Sequence, residues 1–428
     1  MSHLAYTRSN LRSSLILVPL LVLGACVAEL PVASQNRPVS LAQGALRAGV
    51  PGNVPGGTPV PQVDGRRVAI LLPLTGPNAE IGQAMLQAAQ LALDVPGAPP
   101  LVPLDTSGVP AGARAAVRAA LAQGVGIILG PLTNAETAAV APLARNAGVP
   151  VLAFTSDQNQ AQEGVWTLGI TPVQQLRRLS LAVQAEGRSR IGAVLPQNPL
   201  GDALSSGLLT AAGEASLPEP RIVRYAGANL DAGLRDVSDY AARRPPVDPA
   251  AAAVDPAAPV VPAVPNAPPP IDTLLLGAAG PAVVQTAPQL QTYDLRPATG
   301  PEGVRLLGPG IWQRDAERMS ALSGAWFAAP DPANRGPFIQ AYTARYGTAP
   351  RDLASLAFDS ASLARVVGEG GGYSAASLMR SEGFAGADGV FALLPQGQVR
   401  RGLAIFELDA KGAHIVQPAP QSLAAPGA

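Results

Sequence analysis

Val68-Ala69-Ile70-Leu71-Leu72-Pro73-Leu74-Thr75-Gly76-Pro77-Asn78 decides the fold class. Its first five residues are apolar without interruption, as in a strand buried on both faces of a sheet. The residues from Pro73 to Asn78 form a turn cluster. Ile81, Met85, Ala88 and Ala92 then recur at helical spacing, so a helix follows the turn, and packing accounts for the methionine. Downstream, apolar runs at 101–104, 125–129 and 149–154 alternate with helical patterns at 111–122 and 136–146. Strand–helix alternation of this kind predicts an α/β fold, a parallel sheet with helices on both faces.

The alternation continues beyond a sharp helix start at Thr171-Pro172-Val173-Gln174. Thr171 caps, Pro172 suits the first helical position and Gln174 completes a capping box. Strands are expected at 190–195, 221–225, 271–276 and 304–307, and helices at 200–214, 230–243 and 353–367. Phe338, Tyr342 and Tyr346 recur four residues apart, a packing stripe rather than a cofactor box. Short β segments around a turn follow Gly383. Two stretches break the pattern. Residues 27–64 are rich in proline and glycine, too poor in apolar surface to fold alone, and read as a tether. Residues 245–270 are mostly Pro, Ala and Val and read as a disordered or polyproline insertion.

Composition excludes several function classes. Charged residues are 14% of the chain, and 30 basic and 30 acidic side chains cancel to a net charge of +0, against non-specific nucleic-acid binding. The chain has 2 histidines, His3 and His414, and 1 cysteine, Cys26. That rules out most His/Cys metal sites and any intramolecular disulfide, and no cofactor is expected. There is no HExxH, CxxC, Walker loop or GxSxG, and Gly124-Val125-Gly126 lacks the dinucleotide spacing and enters a strand. The expectation is a binding protein, not an enzyme.

Arg8 and Arg12 precede an apolar stretch from Leu15 to Ala25, too short to span a bilayer comfortably. It ends in Leu23-Gly24-Ala25-Cys26, which resembles a bacterial lipoprotein processing box. The resemblance implies cleavage before Cys26 and lipidation of Cys26, and several acyl chains anchor a protein stably. Val27, a non-aspartate after the cysteine, implies by the same resemblance sorting to the outer membrane rather than the inner.

Within the body, Ala69-Ile70-Leu71-Leu72-Pro73-Leu74-Thr75-Gly76-Pro77, Gly82-Gln83-Ala84, Ile127-Ile128-Leu129-Gly130-Pro131-Leu132-Thr133 and Gly148-Val149-Pro150-Val151-Leu152-Ala153-Phe154-Thr155-Ser156 follow one another in order. With the C-terminal Phe384–Gly386, Gly389, Phe391, Gly397 and 403–406, they resemble type I periplasmic binding proteins of the branched-chain amino-acid class over about residues 67–410. The resemblance implies a two-lobed fold, each lobe a parallel sheet flanked by helices. The expected organisation is a signal peptide at 1–25, a tether at 26–64, a first lobe from 65–172 and 323–380, and a second lobe from 173–322 carrying the 245–270 insertion. Residues 381–410 close the lobes, 411–428 form a tail, and the lobe crossings fall near 170–175, 320–330 and 375–385.

The lipoprotein box, the Leu-Leu-Pro-Leu-Thr-Gly-Pro opening and Gly169-Ile170-Thr171-Pro172-Val173-Gln174-Gln175 are most similar to the penicillin-binding protein activator branch. That likeness implies an outer-membrane lipoprotein that stimulates a peptidoglycan synthase across the periplasm. Characterised members carry an additional N-terminal helical-repeat domain, where this chain has the tether. The alternative implied by the fold is a solute-binding lipoprotein of an ABC transporter for amino acids or similar small polar ligands.

In amino-acid binders of this fold, hydroxyls and backbone N–H groups at helix starts hold the ligand carboxylate between the lobes. The resemblance carries this role to Thr75, Gly76, Thr133, Asn134, Thr155 and Ser156. Thr133-Asn134-Ala135-Glu136 also reads as a capping box, and Asp157 as a cap that would repel a carboxylate. Such binders carry a tyrosine before the glycine of the second-lobe helix and an acid after a second-lobe strand. Here those positions read Asn198-Pro199-Leu200-Gly201 and Leu276-Gly277-Ala278-Ala279-Gly280.

Overall fold

The computed structural model describes residues 38–41, 65–227, 229–244, 266–298, 300 and 303–423. Cys26 and most of the expected insertion, 245–265, lie outside the described residues. In chain order the strands are β1 (Val39–Ser40), β2 (Val68–Leu72), β3 (Leu101–Asp105), β4 (Ile127–Leu129), β5 (Val151–Ala153), β6 (Val165–Thr167), β7 (Ile191–Pro196) and β8 (Arg221–Tyr225). They continue with β9 (Thr273–Leu276), β10 (Arg305–Gly308), β11 (Trp326–Ala329), β12 (Phe384–Gly386), β13 (Gly389–Leu393), β14 (Val399–Arg401), β15 (Ala404–Asp409) and β16 (Gly412–Gln417). The long helices are α1 (Ala79–Leu93), α2 (Pro110–Ala122), α3 (Asn134–Asn146), α4 (Pro172–Ala185), α5 (Pro199–Glu214), α6 (Pro332–Tyr346) and α7 (Ala354–Glu369).

The first lobe is built on a parallel sheet in the order β3-β2-β4-β5-β6. Every residue of β2 is fully buried, which is why its sequence is apolar without alternation. Successive side chains still leave on opposite faces. Val68, Ile70 and Leu72 pack with α1 and α7, while Ala69 and Leu71 pack with α2 and α3. Burying each large aliphatic side chain contributes about 1.5–3 kcal/mol. The Phe338, Tyr342 and Tyr346 stripe of α6 joins this core, and the Tyr342 hydroxyl donates to Gln87 Oε1 at 2.6 Å. The second lobe repeats the plan with the order β16-β15-β11-β10-β9-β7-β8, in which β15 alone runs antiparallel to its neighbours β11 and β16.

Both lobes start a helix close against the end of a strand. A Cβ at Gly82 would lie 2.1 Å from the Pro73 carbonyl oxygen, and one at Gly201 would lie 1.9 Å from that of Pro196. Only glycine permits this approach, and it brings the helix N-termini to the strand ends that face the cleft.

Sheet membership corrects several expected boundaries. Trp326–Ala329, expected in the first lobe, is a strand of the second, with Leu307 opposite Trp326. An apolar run carries no lobe label; the partner strand decides. The chain crosses between lobes at 168–171, after β11, and between β14 and β15, so the last crossing falls at Gly402 and Leu403 rather than near 375–385. Residues 412–417, expected in a tail, form the edge strand β16. The expected helix at 230–243 breaks at Asp239, whose φ of 54° is left-handed. Residues 39–40, expected in the tether, pair with β12 in a sheet ordered β1-β12-β13-β14.

Candidate functional site in the cleft

A cavity of about 430 Å³ opens at the strand ends where the lobes meet. Thr155 and Ser156, which follow β5, line it together with Phe154 and the crossover residues Gly169 and Ile170. The opposite wall brings Arg335 from α6, Leu356 from α7 and Asp388 from the β12–β13 turn. Asp352 also lines it and reaches across to the second lobe, where its carboxylate meets Arg314 Nη2 at 2.9 Å. Both side chains are well exposed, so this interlobe pair contributes little to stability.

The other expected residues serve the loops. Thr75 donates its hydroxyl to Asp105 Oδ2 at 2.6 Å. Burial raises the Asp105 carboxyl's pKa, but the Thr75 hydroxyl and the N–H groups of Ser107, Leu74 and Thr75 outweigh it and hold it at about 2. Gly76 takes a φ of 82° in the same turn. Thr133 accepts the Glu136 N–H at 3.3 Å and donates its hydroxyl to Glu136 Oε2 at 2.7 Å, so the capping box occupies it. Glu136 is fully buried and also accepts the Thr106 hydroxyl. A carboxylate placed at Thr133 would meet the anion already there. Asn134 accepts the N–H of Ala135 at the exposed start of α3. Of the six expected positions, the structure brings only Thr155 and Ser156 to the cavity wall.

Sequence reading missed the charges beneath that wall. Asp388 is 1% exposed; it binds Arg335 Nε at 2.5 Å and accepts the Ser355 hydroxyl at 2.9 Å. Behind it, Asp359 is equally buried and accepts the N–H groups of Ala387 at 2.6 Å and Asp388 at 3.3 Å. Desolvation, reinforced by the Asp388 charge, pushes the Asp359 carboxyl up to about 7 against the pull of these N–H groups and Arg401. Arg401, also buried, donates Nη2–H to the Leu168 carbonyl at 3.0 Å and lies 5.1 Å above the Phe391 ring. Its Nε and Nη1 have no hydrogen-bond partner among the described residues, and burial lowers its pKa against the pull of Asp388 and Asp359. The only sequence signal nearby was the Asp388-Gly389 turn, which says nothing of partners 29 or more residues away.

A larger hollow of about 610 Å³ lies at the other ends of β5 and β6, lined by Gly148, Gly164, Trp166, Tyr373 and Met379 among others. It lies away from the helix starts that face the cleft. His414 is exposed on β16 and pairs with Asp409 at 2.9 Å. Among the described residues, no group of three or more His, Cys, Asp or Glu side chains is placed to hold a metal, and no helix is long and apolar enough to cross a membrane.

The sequence profile of the periplasmic binding protein family matches residues 66–413. The chain belongs to the periplasmic binding protein family. No curated protein sequence matches this family member. Its fold is similar to the C-domain of LpoA from Haemophilus influenzae, a regulator of PBP1A, with a TM-score of 0.59 at 16% identity over 82% of this chain and 99% of that one. Full-length LpoA from the same organism gives a TM-score of 0.61 at 14% identity, with 82% of this chain covering 59% of that one. A branched-chain amino acid ABC transporter periplasmic ligand-binding protein from Burkholderia xenovorans gives a TM-score of 0.59 at 16% identity, over 84% and 97% of the two chains. These likenesses establish the two-lobed binding-protein fold and do not divide regulator from transport receptor.

Proposed function

We propose that this periplasmic binding protein is a cell-envelope regulator: a lipoprotein anchored through Cys26 to the outer membrane that activates a peptidoglycan synthase by surface contact. One observation carries the reading. Among the described residues, those lining the cleft cavity come from the first lobe and the first crossover, and none comes from 173–329 of the second lobe. A receptor for a small solute needs both lobes to close on it, with buried polar groups matched to the ligand. Here the second-lobe positions that would supply an aromatic lid and an acid read Pro199-Leu200 and Ala278-Ala279, and none of these lines the cavity.

The second reading, a solute-binding lipoprotein of an ABC transporter, is favoured by Thr155, Ser156 and Arg335 around one cavity, a set able to hold a carboxylate. The decisive measurement is glycan-strand synthesis by the source organism's purified penicillin-binding proteins, with and without the lipidated chain. A several-fold rise in rate with one of them supports regulation. No rise with any of them, together with micromolar solute binding, returns the protein to the transport receptors.

A further inference from the structure

Residues 38–41 lie apart in sequence from the globule they join. Val39 donates its N–H to the Gly383 carbonyl and Leu41 to the Ala385 carbonyl, each at 3.0 Å, so the segment adds a parallel strand to the edge of β12. Leu41 is fully buried in the first-lobe core beside the packed helices α1 and α7. Its carbonyl accepts Nη2–H of Arg365 at 3.1 Å. Arg365 is 6% exposed and its Nε has no hydrogen-bond partner among the described residues. A buried guanidinium needs acceptors: Glu369 accepts Nη1–H of Arg365 at 3.4 Å, and the arm supplies the acceptor for Nη2. Pro38 suits the entry to an edge strand, where a missing N–H costs nothing.

We propose that the β12 edge, the Leu41 socket and Arg365 form a strand-docking site whose occupant is this chain's own residues 38–41, and that the docking sets how far the globule reaches from its anchor. The reach half rests on the proposed anchoring at Cys26; the docking half does not. An extended chain rises at most about 3.5 Å per residue. From Cys26 to a docked Val39 it spans no more than about 45 Å, whereas from Cys26 to Gly65, with the clasp released, the limit rises to about 135 Å. The clasp therefore divides two regimes, one near the membrane and one far enough from it to meet a synthase deeper in the envelope. Docking in cis is favoured because the arm is covalently held near its site at high effective concentration, and closing the intervening 42–64 loop costs little more than closing a shorter one. It also covers an edge that would otherwise be open to other strands.

Two measurements on the full-length chain test this. Hydrogen exchange should show protected amides at Val39 and Leu41 in the wild type. Leu41→Asp should lose that protection at least tenfold, and Leu41→Met should keep it. Unprotected arm amides in the wild type would overturn the clasp. For reach, the chain carries a dye at Ser381→Cys, an exposed position beside β12, and is reconstituted in vesicles with a headgroup acceptor. Energy transfer should be efficient in the wild type and fall several-fold in Leu41→Asp. Equal transfer in both would overturn the reach control while leaving docking to the exchange result. A chain that fails to join the vesicles would overturn the anchoring and the reach together. Dimers exchanging arms, seen by scattering at low concentration, would replace the cis occupant by a second copy.

Discussion

The Arg401 guanidinium donates to the Leu168 carbonyl at 3.0 Å and so ties together two of the three segments that cross between the lobes. Leu168 opens the first crossing and Arg401 ends the strand before the last. The Gln174 side chain reinforces the tie by donating to the Val399 carbonyl at 2.7 Å. Two of the crossing segments are therefore hydrogen-bonded side by side.

Arg401→Ala should therefore destabilise the fold. It leaves Asp388 and Asp359 buried with one fewer opposite charge and removes the tie to Leu168. The expected loss is about 3–5 kcal/mol, the range for removing one partner of a buried charge cluster. Urea titration followed by tryptophan fluorescence measures it; a change under about 1 kcal/mol would mean that the cluster does not depend on Arg401.

Asp359 should make stability depend on pH between the acid's ordinary value and about 7. Its folded pKa is raised, so the folded state holds the proton more tightly than the unfolded chain. The resulting stabilisation is complete below the unfolded value near 3.9 and is lost as pH rises through about 7. Asp359→Asn should flatten this slope in denaturation midpoints recorded from pH 5 to 8. Asp105 acts in the opposite sense in a separate window, because its depressed pKa favours folding above about 4 and the benefit is lost as pH falls towards 2.

Thr133→Ala should cost stability and leave any ligand chemistry alone. The capping box at the start of α3 loses its side chain, and such caps contribute about 1 kcal/mol. Thr155→Ala removes a hydroxyl from the cavity wall together with its bond to the Asp157 N–H at 3.0 Å. If Thr133→Ala instead abolished binding of a small molecule without shifting the denaturation midpoint, the threonine would be a ligand contact.

Isothermal titration with the twenty amino acids should show none bound more tightly than about 100 µM. Each missing charge-assisted contact is worth about 1.5–3 kcal/mol, so two weaken binding by roughly two to four decades. A micromolar amino acid whose binding is lost in Thr155→Ala would reverse the ranking of regulator over receptor.

Cys26 should be the mature N-terminus and carry lipid. Mass spectrometry of the membrane fraction reads this directly. A wild-type chain left uncleaved, or a Cys26→Ser chain that fractionates like the wild type, would remove the anchor.

Much of the architecture was written in the one-dimensional pattern. The uninterrupted run at 68–72, the turn after it and the helical spacing from Ile81 required a buried strand packed under a helix, whatever surrounded them. The capping boxes at Thr171 and Thr133 were equally local, since both partners lie three residues apart, and both formed. Tertiary structure alone decided which sheet each strand joined, as Trp326–Ala329 shows, because pairing depends on a partner strand that the run itself does not name. It alone brought Arg335, Ser355, Asp359, Asp388 and Arg401 together, from two helices, a turn and a strand. It also turned a proline-rich tether into a docked strand at 38–41, because the edge strand and the arginine that receive it, β12 and Arg365, lie more than 300 positions away. Local patterns record what a segment needs to bury, while long-range contacts depend on where the folded chain puts the surface that buries it.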